Sequence, residues 1–144
     1  MAQKEHTKFT GVQLKGIELL NSSINLPDLP EIALANFIFT IKIESKIDAA
    51  AKLIFVVVAV DIKIEEDDIV VGTLAVSCIY SISNFDEVVK RNAEGKFEIP
   101  PSLVDLLNSV SVSTTRGVMF STFKGTFLHT AFLPMIEPRQ FQVF

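Results

Sequence analysis

Residues 53–64, LIFVVVAVDIKI, constrain the fold more than any other stretch. Val and Ile lose rotamer freedom in a helix and pack well on a pleated surface, so the run reads as a strand. Extended over 52–64 at about 3.3 Å per residue it reaches ~43 Å, far beyond the usual strand of about five or six residues. Its first half is apolar at every position, which predicts cover on both faces. Its second half alternates, which predicts one solvated face.

The flanking segments repeat the pattern. Over 37–45, Phe37, Phe39, Ile41 and Ile43 alternate with Ile38, Thr40, Lys42 and Glu44, the period of a half-buried strand. Residues 69–82 form a third long run. Polar turns at 48–51 and 65–68 separate the three, so the arrangement is an antiparallel meander. Residues 9–20 make a looser strand with Gly11 and Gly16 as possible bulges. The prolines of LPDLP, 26–30, break any ladder and predict a loop.

Character changes at Asn84. This residue is placed to cap a short helix with Asp86 and Glu87 in its first turn, ending at 92–95. Pro100 and Pro101 open a second short helix over 100–110, with Leu103, Leu106 and Leu107 on one face. Residues 112–123 read as helical but score poorly on propensity, with Ser, Thr, β-branched residues and Gly117, so packing has to hold them. Gly125 is a natural helix stop, and Pro134 and Pro138 exclude a long regular element after it. The whole chain, 1–144, reads as one domain.

With 49% hydrophobic and 21% charged residues and a mean hydropathy of +0.40, the chain has more apolar surface than a small core hides, so association with partners is expected. The net charge of −4 and scattered basic residues argue against nucleic acid. The longest apolar run, 53–60, is too short to span a bilayer, and MAQKEHTKFT at the N-terminus has no apolar signal core. A single cysteine, Cys78, fits a small core residue in a reducing compartment, so the cytoplasm is expected.

No catalytic pattern emerges, and no cofactor or metal is expected. His6 and His129 have no ligand or triad partners at suitable spacing. Ser121 with His129 lacks a nucleophile elbow. The acidic run 65–68 lacks the glycine and closing glutamate of a calcium loop. Phenylalanine is what stands out: twelve Phe against one Tyr and no Trp, half of them from Phe120 to Phe144. They fit either ordinary packing or a groove between helix and sheet for apolar polypeptide.

The C-terminal third resembles the SecB family of protein-export chaperones. The likeness runs through Ile79-Tyr80-Ser81-Ile82, Leu106-Leu107-Asn108 and Thr115-Arg116-Gly117-Val118-Met119-Phe120. It is most specific at Gly125-Thr126-Phe127, then Leu133-Pro134-Met135-Ile136-Glu137-Pro138 and Phe141. The resemblance implies an α+β fold, a four-stranded antiparallel sheet with helices packed on one side, assembled as a homotetramer of two dimers. It implies a non-enzymatic role, holding unfolded or precursor polypeptides in apolar grooves without ATP. Tyr80, Phe120, Phe123 and Phe127 become groove-lining candidates, with Phe55 and Val57, or their opposite-face neighbours Ile54 and Val56, as the floor.

Two features depart from the export members. Thr73 stands where they carry an acidic residue for docking on the motor SecA, and no acidic tail precedes the chain's end at Phe144. Three readings are open: a general holdase that keeps preproteins export-competent, a dedicated chaperone of an antitoxin, or a purely structural oligomer.

Overall fold

The computed structural model describes residues 9–26, 36–65 and 69–135. Four long strands run antiparallel: β1 Gln13–Ile24, β2 Phe37–Asp48, β3 Leu53–Ile64 and β4 Ile69–Ser81, in the spatial order β1-β4-β3-β2. After them come a four-residue helix α1 (Phe85–Val88), a hairpin of β5 (Lys90–Arg91) and β6 (Phe97–Glu98), and the long helix α2 (Pro101–Phe123). The expected four-stranded antiparallel sheet with a helix packed on one side is present.

Pairing sets the strand ends. β2 and β3 match without a register shift, from Phe37 opposite Ile64 to Asp48 opposite Leu53. β2 therefore runs three residues past the expected 37–45, because Leu53 needs a partner. The turn between them is closed by the Asp48 carboxylate, which accepts the Ala51 N–H at 3.0 Å, and Lys52 takes a left-handed φ of 58°. β1 lies later in the chain than 9–20. It accompanies β4 as far as Ile24 opposite Gly72, through polar residues that carry no alternation. Its register shifts once between Leu14 and Gly16 and again between Leu19 and Asn21. Gly16 thus sits at a bulge, whereas Gly11 precedes the strand. The 26–30 loop, apart from Leu26, and residues 66–68 of the acidic turn lie outside the described residues, as do His6, Pro138 and Phe141.

Alternation decides which side of the sheet is covered. Ile54, Val56, Val58, Val60 and Ile62 on β3, with Val76, Cys78 and Tyr80 on β4, are at most 2% exposed and face α2. The intervening Leu53, Phe55 and Val57 point to the opposite face and are half-exposed. The first half of β3 is therefore not sandwiched within the subunit, contrary to its unbroken apolar sequence. Beyond α2, Leu128 returns to the sheet over Gly72. A Cβ at Gly72 would stand 2.6 Å from the Leu128 Cδ1, so glycine is what permits this approach.

The two helical stretches expected over 100–110 and 112–123 are one helix. Its middle is held by tertiary contacts that outweigh propensity. Ser111 Oγ lies 2.7 Å from the Tyr80 hydroxyl of β4, while Thr115 Oγ1 is satisfied within the helix by the Ser111 carbonyl at 2.7 Å. Ser111 and Thr115 have no exposed surface. Asn84 holds the N-cap position of α1, its carbonyl accepting the Glu87 and Val88 N–H groups at 3.1 and 3.2 Å, but its side chain makes no cap bond. Its Oδ1 accepts the Thr10 N–H at 2.9 Å instead, tying the chain's first described residues to the end of β4. The β5–β6 hairpin replaces the simple helix ending expected at 92–95. There the Asn92 side chain accepts the N–H groups of Glu94 and Lys96 at 2.9 and 3.0 Å.

Candidate functional site

β2 is an edge strand, and its helix-side row is Phe37, Phe39, Ile41, Ile43, Ser45 and Ile47. α2 runs over β3 and β4, so this row is left partly open: only Ile43 is fully buried. A cavity of about 510 Å³ lies at one end, lined by Ile43, Glu44, Ser45, Lys46 and Ile47 of β2 and by Lys96 and Phe97 of the hairpin. A second, of about 340 Å³, lies at the other end, between Asn36, Phe37 and Phe39 and the Thr130–Ala131–Phe132 stretch. The two cavities and the half-buried row between them outline a trough beside one strand, mostly apolar at the Phe97 end and mixed at the Phe132 end. An extended chain rises about 3.3 Å per residue with side chains alternating between faces, so this shape suits extended polypeptide.

The walls are fixed by identifiable bonds. Arg116 on α2 donates from Nε to the Leu133 carbonyl at 3.0 Å and from Nη2 to the Pro134 carbonyl at 2.8 Å. Before that clamp, Gly125 at φ 81° and Thr126 reverse the chain. The Thr126 hydroxyl donates to the Phe123 carbonyl at 2.7 Å and accepts the Leu128 N–H at 3.1 Å. His129 has a structural place, its Nδ1 donating to the Thr126 carbonyl at 2.9 Å. At the other end, the Arg91 guanidinium lies over the Phe97 ring, 4.7 Å from its centre, an attraction that steadies the aromatic wall.

Electrostatics are mild. Lys42 and Glu44 pair at 2.9 Å on the solvent side of β2. Their hydrogen bond raises the lysine pKa and lowers the carboxyl. Burial pushes the Cys78 thiol up against weaker opposing hydrogen bonds from Ser111, Tyr80 and Thr114, so it is a poor nucleophile. Burial also drives the Tyr80 hydroxyl well above the ordinary phenol range. Among the described residues no group of three or more metal-ligating side chains comes together, and no helix is long and apolar enough to cross a membrane.

The six aromatic and apolar candidates divide among three places. Tyr80 and Phe123 are inside the core at 2% and 1% exposure, Tyr80 with its hydroxyl 3.3 Å from the Leu107 carbonyl. Phe55 and Val57 lie on the sheet face away from α2, with Lys46 and Ile79 flanking Phe55. Phe120 is 51% exposed and stacks on Phe132 with ring centres 6.2 Å apart. Phe120 thereby extends the second cavity's wall outward, while Phe127 is half-buried against the core. The β2 row and Phe97 were not singled out from sequence as site residues. The alternation of Phe37, Phe39, Ile41 and Ile43 marked the face, but only the path of α2 shows that it stays open.

This architecture has a solved counterpart. The SecB-like chaperone Rv1957 of Mycobacterium tuberculosis, in complex with a ChAD peptide from the HigA1 antitoxin Rv1956, superposes with a TM-score of 0.52 at 12% identity. The match covers 86% of this chain and 83% of that one. The fold is SecB-like. No protein-family model matches the sequence, and no curated protein matches it either, so the likeness is one of fold, in the arrangement of strands and helix. Within this SecB-like fold the Arg116 clamp and the Gly125–Thr126 turn give a physical reason for the residues that carried the resemblance: they place the segment that walls one end of the trough.

Proposed function

We propose that the protein is a chaperone that holds extended, non-native polypeptide in the β2 trough, without nucleotide and without chemistry of its own. The observation that carries this reading is the trough itself, a partly open row of apolar β2 side chains between Phe97 and Phe132 on a SecB-like fold. Several shallow apolar subsites suit varied clients better than one specific pocket does. Each well-buried client side chain contributes about 1.5–3 kcal/mol before ordering costs. Phe120, stacked on Phe132, borders the trough's aromatic end, while Tyr80 and Phe123 belong to the core beneath α2 and Phe127 packs half-buried against that core. Phe55 and Val57 offer apolar surface on the other face.

Assembly as a homotetramer of two dimers in the cytoplasm belongs to this reading. Support comes from Leu14, Ile17, Leu19, Leu20 and Ile24 of β1, which stay 41–50% exposed, more apolar edge than a monomer normally leaves. The test is a denatured client diluted into buffer without ATP. A several-fold excess of the protein is expected to suppress aggregation, and unchanged light scattering would overturn the reading.

A second reading is a dedicated antitoxin chaperone. It is favoured by the antitoxin peptide held by Rv1957 and by Thr73, which hydrogen-bonds Ser23 on the open face where an acidic residue would dock SecA. Affinity for SecA, set beside affinity for an antitoxin's disordered segment, separates the two. Tight SecA binding would favour delivery of preproteins for export.

A further inference from the structure

We propose that a second copy of this chain docks along the outward ridge of α2 and, through Phe120, fixes the Phe132 end of the trough, so that association and client binding strengthen one another. This rests on the client-holding reading and adds its regulation.

The outward side of α2 is not that of a helix meant for water. Over Pro101–Phe123 only Asp105 and Arg116 are charged, and both are half-buried. Arg116 is engaged with the carbonyls of Leu133 and Pro134. Past the first two residues the exposed positions are Leu106, Ser109, Ser113, Gly117, Phe120 and Ser121. Steps of three and four residues keep them on one side of the helix. A surface helix ordinarily turns charged residues to solvent there. This ridge has none, and it leaves Leu106 39% and Phe120 51% exposed. Gly117 is the odd member. Glycine weakens a helix interior, yet a Cβ at this position would meet nothing within 4 Å, so no close contact among the described residues requires it. A second helix crossing the ridge gains from it, because small side chains let helix axes approach closely.

The ridge is also symmetric about Ser113. Leu106 stands seven residues before it and Phe120 seven after, and Ser109 stands four before and Gly117 four after. Let two such helices meet antiparallel on a two-fold axis at Ser113. Leu106 then faces Phe120 of the other copy, and Ser109 faces Gly117. Small residues fall at the crossing and large ones on either side of it, about 21 Å apart along the helix. The same patch meets itself, as a two-fold interface requires, and an uncharged ridge does so without like-charge repulsion. A tetramer of two dimers needs two different interfaces. The β1 edge offers one, and the α2 ridge offers the other.

Phe120 belongs to the ridge and to the trough at once. Its ring stacks on Phe132 with centres 6.2 Å apart and planes 17° from parallel, and Phe132 lines the second cavity beside Thr130 and Ala131. In a lone subunit half of Phe120 stays in solvent. Leu106 of a docked copy covers that surface and restrains the ring against Phe132, so the wall stays where a client meets it. By linkage, a client pressed on Phe132 returns the same factor to the association.

The test uses the whole protein and a fluorescent synthetic peptide of about ten residues rich in leucine and phenylalanine. Ser113→Lys places like charges across the axis on an exposed helix position that touches no part of the trough. Sedimentation is expected to show the mass halved, and the peptide is expected to bind about tenfold more weakly. An unchanged mass overturns the docking, and a halved mass with unchanged affinity overturns the coupling. Ser113→Glu should behave alike on its own. An equal mixture of the two variants sets opposite charges across the axis and should restore both mass and affinity. No restoration overturns the two-fold at Ser113, whether or not either variant is weakened in folding. With Phe132→Ala in the background, Ser113→Lys should change affinity less than about twofold. A tenfold loss that persists there overturns the route through Phe120. Failure of the peptide to bind the unaltered protein sinks the client-holding reading itself, whereas binding that ignores association sinks only the coupling.

Discussion

β1 and β2 flank the same two central strands, yet they treat apolar side chains differently. β1 leaves Leu14, Ile17, Leu19, Leu20 and Ile24 broadly exposed. β2 tucks Phe37, Phe39, Ile41 and Ile47 to half-burial and buries Ile43. The difference arises in the chain beyond β4. The β5–β6 hairpin and the stretch after α2 both settle beside β2, and no described element does the same for β1. β1 also breaks its ladder twice, while β2 keeps one register throughout. One edge is thus a bare apolar margin, suited to burial against another subunit. The other is walled at both ends, suited to a ligand of limited length.

The largest effect that would break this contrast is expected at the shared centre. Leu107 has no exposed surface under α2, and Leu107→Ala should cost about 2–5 kcal/mol, read by urea denaturation. Both edges should then lose protection in hydrogen exchange. Retained protection at β2 alone would mean that its walls do not depend on α2.

Arg116→Ala comes next, removing two charge-assisted bonds for a cost of about 1.5–3 kcal/mol. It should free the stretch around Leu133 and weaken peptide binding, leaving assembly intact. Unaltered peptide affinity would show that the Phe132 end is not part of the site.

Tyr80→Phe should cost about 1 kcal/mol through its lost bond to Ser111. The phenol's pKa is raised in the folded state, so folding favours the protonated form. That stabilising contribution is complete below the unfolded value of about 10 and is lost as pH rises above it. Tyr80 is the only tyrosine, so absorbance near 295 nm should show phenolate only as the protein unfolds. An ordinary titration in the folded protein would contradict its placement.

The smallest change in folding is expected from Ile17→Ser with Leu19→Ser, at most about 0.5 kcal/mol each for side chains half in solvent. The same pair should reduce the assembly's mass in sedimentation. An unaltered mass would remove β1 as the association edge and leave the contrast without a purpose.

The strands were legible wherever a long run specified its own faces. β2 begins where its alternation begins, and β3 and β4 begin where their apolar runs begin. The end of β1 was not legible, because Asn21, Ser22 and Ser23 are held only by their partners on β4. The unity of α2 was hidden for the same reason. Ser111 and Thr115 are weak helix formers on their own, and the phenol that engages Ser111 lies about thirty residues earlier in the chain. The trough was half legible. Its apolar row shows in the sequence of β2, but a row that is covered and a row that is open have the same alternation. Phe97 gave no signal, since a hairpin of two-residue strands has too few positions to display a period.

The grip of Arg116 on the stretch beyond α2 has one more consequence. The guanidinium holds carbonyl oxygens, which every residue carries, so the anchoring is blind to the side chains at 133 and 134. Neighbouring positions such as Phe132 are then at liberty to vary over generations, reshaping what the end of the trough accepts while the backbone beneath keeps its path.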